Sequence, residues 1–127
     1  MKIATAIARI LLGLLFTVFG ANGFLHFIPM PPPAGLAGQY MGALFVSHYL
    51  VVVFLLQLAG GLLLLTNRYV PLALVLLGPV IVNIVCFHAF LEPAGLPMAL
   101  FAVVLWVVVF TGVHKAFAPL LVQRFEA

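Results

Sequence analysis

Apolar residues fill four runs along the chain, from about Ile3 to Phe27, Tyr49 to Leu65, Val70 to Phe90 and Met98 to Phe117. Runs near twenty residues suit helices that cross a hydrocarbon core of ~30 Å at ~1.5 Å per residue. The stretches between them carry the breakers. Ile28 to Gln39 includes Pro29, Pro31, Pro32 and Pro33, which cannot be a helix interior, so an external loop is expected there. Tyr40 to His48 reads either as a short interfacial helix or as an early start to the second run. Thr66-Asn67-Arg68-Tyr69 and Glu92-Pro93-Ala94-Gly95-Leu96-Pro97 read as tight turns, with Pro71 in the first turn of the third helix. A short polar tail is expected after Phe117. The pattern predicts an all-α membrane protein, one domain over residues 1–127, built as a four-transmembrane-helix bundle.

Composition strengthens that reading. Only 6% of the residues are charged and 67% are hydrophobic, more apolar surface than a small water-soluble domain can hide. The lipid bilayer is therefore the expected solvent. Lys2 before the first run resembles the start of a signal peptide, but the run is too long for that and no Ala-x-Ala site follows, so an uncleaved anchor is expected. The basic residues are spread along the chain without forming a patch, which argues against nucleic acid as a partner.

Charge also predicts orientation. With four spans Lys2, Arg9, Arg68, Lys115 and Arg124 all fall on one side, while the opposite loops hold Glu92 and no Lys or Arg. The positive-inside rule then puts both termini in the cytoplasm.

The candidate chemistry lies in the few polar residues inside or at the ends of the runs. His26, His48 and His88 are expected at similar depth near the external face, with Glu92 one turn beyond His88. Asn22 is four residues before His26, and Asn83 is four residues after Pro79, whose missing N–H frees the carbonyl of Val75. Together they predict an inward-facing polar pocket in the external half of the bundle. Three uses compete for it: a metal or haem held by imidazoles of His26, His48 and His88; a quinone or small lipid walled by Phe24, Phe27, Phe87 and Phe90; or plain interhelical hydrogen bonding. Arg9 is expected either to snorkel to the interface or to pair with Gln57, Thr5 or a lipid phosphate. Gln57, just before Gly60-Gly61, calls for a partner at mid-span. Gly13 and Gly20 share a face of the first run and admit a close neighbour helix. Cys86, the single cysteine, rules out an intrachain disulfide and reads as a buried, unreactive thiol. Trp106 at mid-span reads as a packing or ligand-wall residue, and His114 and Lys115 as interfacial anchors. No hydrolytic triad, phosphate loop or acidic pair is visible.

Three segments together resemble the DoxX family of membrane proteins. They are Arg9-x-x-x-Gly13-x-x-Phe16-x-x-x-Gly20, Gln57-Leu-Ala-Gly60-Gly61, and Pro79-x-x-x-Asn83-x-x-x-Phe87-His88-x-Phe90-Leu91-x-Pro93. The resemblance implies a four-helix membrane bundle in a bacterial cytoplasmic (inner) membrane, and an association with a quinone-linked redox system through a redox partner protein. Family members often carry an acidic residue where Gln57 stands and a Lys near Asn22, so a proton-transfer role at those positions is not implied here. On this reading Asn22, His26, Asn83 and His88 line the pocket. His88 donates to a quinone carbonyl, with Glu92 the nearest proton acceptor. A scaffold, assembly or lipid-binding protein is the alternative from another class, and the glycine-lined faces of the bundle suit a homo-oligomer.

Overall fold

The computed structural model describes residues 2–125, and among these there is helix and no strand. Five α-helices are present: α1 (Lys2–Leu25), α2 (Gly35–Val46), α3 (Tyr49–Leu65), α4 (Val70–Phe90) and α5 (Leu96–Val113). Two 3₁₀ segments, Pro93–Gly95 and His114–Leu121, precede and follow α5. Helix α1 packs on α3 and α5, and α4 packs on the same two helices, so the contacts close into a ring. Leu12, Leu64, Leu74, Leu77 and Val109 are fully buried along its centre.

The α1–α3 seam is the closest. Gly13 lies against the backbone of Leu65, Gly61 against that of Thr17, and Gly20 against that of Leu58, an antiparallel register. A Cβ added to Gly61 would stand 2.6 Å from the Thr17 nitrogen, and one added to Gly20 would stand 2.8 Å from that of Leu58. Small residues are what allow backbones to meet at this distance. The hydroxyl of Thr17 is buried in this seam without a hydrogen-bond partner.

Helices α1 and α4, and the segment Pro93–Leu121 taken as one, are each long and apolar enough to cross a membrane. Helices α2 and α3 reach that standard only together, and they meet at an angle of 86°. Helix α3 alone, with 17 residues, is about 25 Å long. The bend decides between the two sequence readings of residues 40–48: α2 is a separate helix lying across the end of α3, not its early start. It also begins at Gly35, inside the stretch expected to be loop. The four prolines end at Pro33, Ala34 is extended (φ −99°, ψ 169°), and nothing after it interrupts the hydrogen-bond ladder.

The C-terminal end also departs from expectation. Helix α5 stops at Val113, four residues before the run ends, and the chain tightens into 3₁₀ turns that include Pro119. The expected polar tail exposes Leu120, Leu121, Val122 and Phe125 instead.

Candidate functional site

Each polar residue singled out in the sequence has a definite place, and they do not share one pocket. Asn22 is 7% exposed and clasps the chain as it leaves α1. Its Oδ1 accepts the Ile28 N–H at 2.7 Å, and its Nδ2 donates to the Ile28 carbonyl at 3.4 Å. The His26 N–H donates to the Asn22 carbonyl at 2.9 Å. His26 itself adopts φ 53°, which ends the helical path of α1, and its side chain is exposed.

His48 forms the corner between α2 and α3. It too is left-handed (φ 64°), a region in which His is enriched among non-glycine residues. Beside it opens a cleft of about 120 Å³ lined by Gly23, Phe24, Phe45, His48, Val51 and Phe54. The rings of Phe24 and Phe54 meet edge-to-face with centroids 6.0 Å apart, and Phe54 covers Gly23, where a side chain would strike the ring. Phe24 was expected as a wall. Phe45, Phe54 and Gly23 were not, because they are assembled by the 86° bend, which no local pattern encodes.

His88 belongs to another cluster. Its Nδ1 donates to the main-chain carbonyl of Glu92 at 3.0 Å, which leaves Nε2 of the neutral ring as an acceptor. The imidazole meets Phe87 edge-on (5.1 Å), and Phe87 contacts Tyr40 of α2 (5.8 Å). The backbone of Gly95 lies flat against the ring. The expected donation from His88 to a quinone carbonyl is therefore corrected. The only proton of the neutral ring is already committed, and Glu92 serves through its backbone.

Asn83 departs furthest from expectation. It is exposed on the outer side of α4, with Nδ2 donating to the Pro79 carbonyl at 2.8 Å. Cys86 is likewise exposed and not buried. The inward face of α4 is set by Ala73, Leu74, Leu77, Val80 and Ile81, and at ~100° per residue Cys86 points away from Leu77. Gln57, 7% exposed, packs its Cβ on Gly20 in the α1–α3 seam.

Arg9 pairs with neither Gln57 nor Thr5. Its Nη1 donates to the carbonyls of Leu64 and, at 3.4 Å, Leu65, the last residues of α3. Thr5 instead packs on Gly112. The Leu64 carbonyl also accepts the Asn67 N–H at 3.2 Å, so the guanidinium adds a second bond there, at a helix end whose partial negative charge favours a cation. Trp106 is a packing residue with a polar tether. Its Nε1 donates to the Leu74 carbonyl at 3.0 Å, and its ring stacks on Phe110.

The metal reading fails on geometry. Among the described residues no three His, Cys, Asp or Glu side chains gather where they could hold an ion, so His26, His48 and His88 are not a ligand set. Left-handed backbone at His26 and His48 places these residues at two separate helix ends, and His88 is bound into a third. What remains is an aromatic cleft at His48, a larger and shallower one of about 550 Å³ lined by Phe110, Phe117, His114 and Lys115 at the opposite end, a clasp at Asn22, and a guanidinium closing α3. The chain matches no protein-family model, no curated protein and no solved structure.

Proposed function

We propose that this is a DoxX-like, four-span integral protein of a bacterial cytoplasmic membrane that receives the head of a quinone-type lipid at the α2–α3 corner. On this reading it is a small membrane subunit of a quinone-linked redox system. The span count and orientation are supported by where the cations lie. Lys2 and Arg9 are in the first turns of α1, Arg68 links α3 to α4, and Lys115 and Arg124 follow α5. The contacts of Arg9 with Leu64 and of Thr5 with Gly112 bring these ends together, whereas the opposite end holds Glu92 and the histidines 26, 48 and 88. Such an asymmetry is the mark of a cytoplasmic face.

The observation that carries the ligand reading is the cleft at His48. Its volume of about 120 Å³ is well below the roughly 300–1,000 Å³ that encloses a whole drug-sized molecule. It suits a single planar ring, with an isoprenoid tail left outside along the apolar helices. Phe24, Phe45 and Phe54 supply the walls, and the His48 imidazole supplies a hydrogen bond to a carbonyl oxygen. A bound quinone would supply two-electron, two-proton chemistry. The chain itself orients the ring and excludes water from one face.

The test is quinone content. Purified protein, extracted with organic solvent, should release isoprenoid quinone in a fixed ratio to chain. His48→Gly keeps the left-handed backbone but removes the donor, and Val51→Trp fills the cleft from its open side. Both should lower the ratio at least about tenfold, the effect of losing roughly 1.4 kcal/mol or more of binding. Wild-type protein that yields no quinone and binds no short-chain analogue would overturn the reading.

A further inference from the structure

Asn83 poses a question that the cleft does not answer. Helix α4 is long and apolar enough to cross a membrane, and Asn83 lies within it on the outward side, where acyl chains offer neither donors nor acceptors. Polar side chains at such depth almost always face protein or water. One N–H of the amide goes to Pro79, which leaves the other N–H and the oxygen free.

The outward side of α4 has a pattern of its own. Leu72, Leu76, Pro79, Asn83, Cys86 and Phe90 follow one another at alternating spacings of four and three residues. All are exposed except Leu76, which is half-buried. That spacing averages 3.5 residues, the period at which one helix keeps a single seam turned toward a partner helix. Asn83 falls at the first core position of its heptad and Cys86 at the second. A lone Asn at the first position is the device that fixes parallel, in-register pairing, because its amide is both donor and acceptor and meets its own copy across the axis.

We infer that the outward seam of α4 is a homodimer interface, in which Asn83 of one copy hydrogen-bonds Asn83 of the second. A two-fold axis along the membrane normal makes the two α4 helices parallel, as pairing of one residue with itself requires. Pro79 strengthens the case, since it leaves the Val75 carbonyl of the same exposed side without its helical N–H. A second copy excludes lipid from that carbonyl as well. The inference rests on α4 spanning the bilayer and is independent of the cleft and its ligand.

The single native cysteine makes the test direct. In a parallel seam the two Cys86 residues approach within the roughly 4.4–6.8 Å between Cα atoms at which a disulfide closes. Resistance of the chain to carbonate extraction is checked first, which separates failure of the membrane reading from failure of this one. Native membranes are then treated with copper(II) phenanthroline, which takes the two electrons while the thiol protons pass to water. A disulfide-linked species of twice the chain mass should form with wild-type protein. It should be absent from Cys86→Ser and from Cys86→Ser with Val104→Cys, which moves the thiol to the exposed face of α5. Asn83→Leu suits lipid in the monomer, and should weaken dimerisation about fivefold, as loss of an interhelical amide contact of about 1 kcal/mol implies. Cross-linking of Cys86 to a different protein, a yield no higher than that of Val104→Cys, or an undiminished dimer in Asn83→Leu would each overturn the inference.

Discussion

Arg9 shows how one residue can look like a membrane anchor in sequence and serve as a structural bolt. A basic residue some ten ångströms along α1, at about 1.5 Å per residue, is within reach of the interface, and snorkelling is its ordinary fate. Here the guanidinium crosses to α3 and takes the Leu64 and Leu65 carbonyls. A charge-assisted hydrogen bond contributes about 1.5–3 kcal/mol. Arg9→Met, which keeps length and apolar stem but not charge, should lower the unfolding free energy in mixed detergent micelles by about 2 kcal/mol. Arg9→Lys should retain part of it. If Arg9→Met unfolds with wild-type energy, the bolt is ornamental and the arginine is an anchor after all. Asn83 and Cys86 make the complementary point, since composition locates them within α4 but helix phase decides which way they face. The apolar character of α4 is nearly uniform around its circumference, so the sequence offers no strong stripe from which to set that phase. The inward side is identified by contact with α3 and α5.

At the scale of elements, the α1–α3 seam and the α4–α5 contact make different demands on glycine. Gly61 meets rigid backbone at Thr17, whereas a Cβ at Gly78 would meet only the Trp106 ring, 3.9 Å away. Gly61→Ala should therefore destabilise the protein by about 1–3 kcal/mol through overpacking. Gly78→Ala should be neutral or stabilise by up to about 1 kcal/mol through helix propensity. Equal effects in detergent unfolding would contradict the register. Much of this scale was legible beforehand. Tyr49–Leu65 and Val70–Phe90 are helices with the boundaries that hydropathy and Pro71 imply, and Gly13 and Gly20 do sit on one close-packed face. Helix α2 was only half visible, because four prolines mask where the chain becomes free to coil. The early end of α5 was signalled only by Gly112, a weak sign beside an apolar run that continues to Phe117. The cleft followed α2 out of sight: its walls come from α1 and from two helices joined by a bend at a histidine.

The whole molecule combines a glycine-set seam, a ring of helix contacts and a marked separation of charge. The cationic end is tied together by Arg9 on α3 and by Thr5 on Gly112, and the other end holds His26, His48 and His88, the His48 cleft and the Asn22 clasp. In a bilayer the positive-inside rule would turn that polarity into an orientation, with the side rich in Lys and Arg toward the cytoplasm. The quinone reading depends on the premise that the polypeptide passes through lipid an even number of times with α3 as one passage, whereas the α4 interface needs only α4 to span. The most direct measurement is the sidedness of the two ends, read from fusions of green fluorescent protein and alkaline phosphatase to each terminus in turn. Fluorescence at both ends with an inactive phosphatase at both is the expected result. An active phosphatase at one end and fluorescence at the other would mean an odd number of crossings and would contradict the four-span bundle.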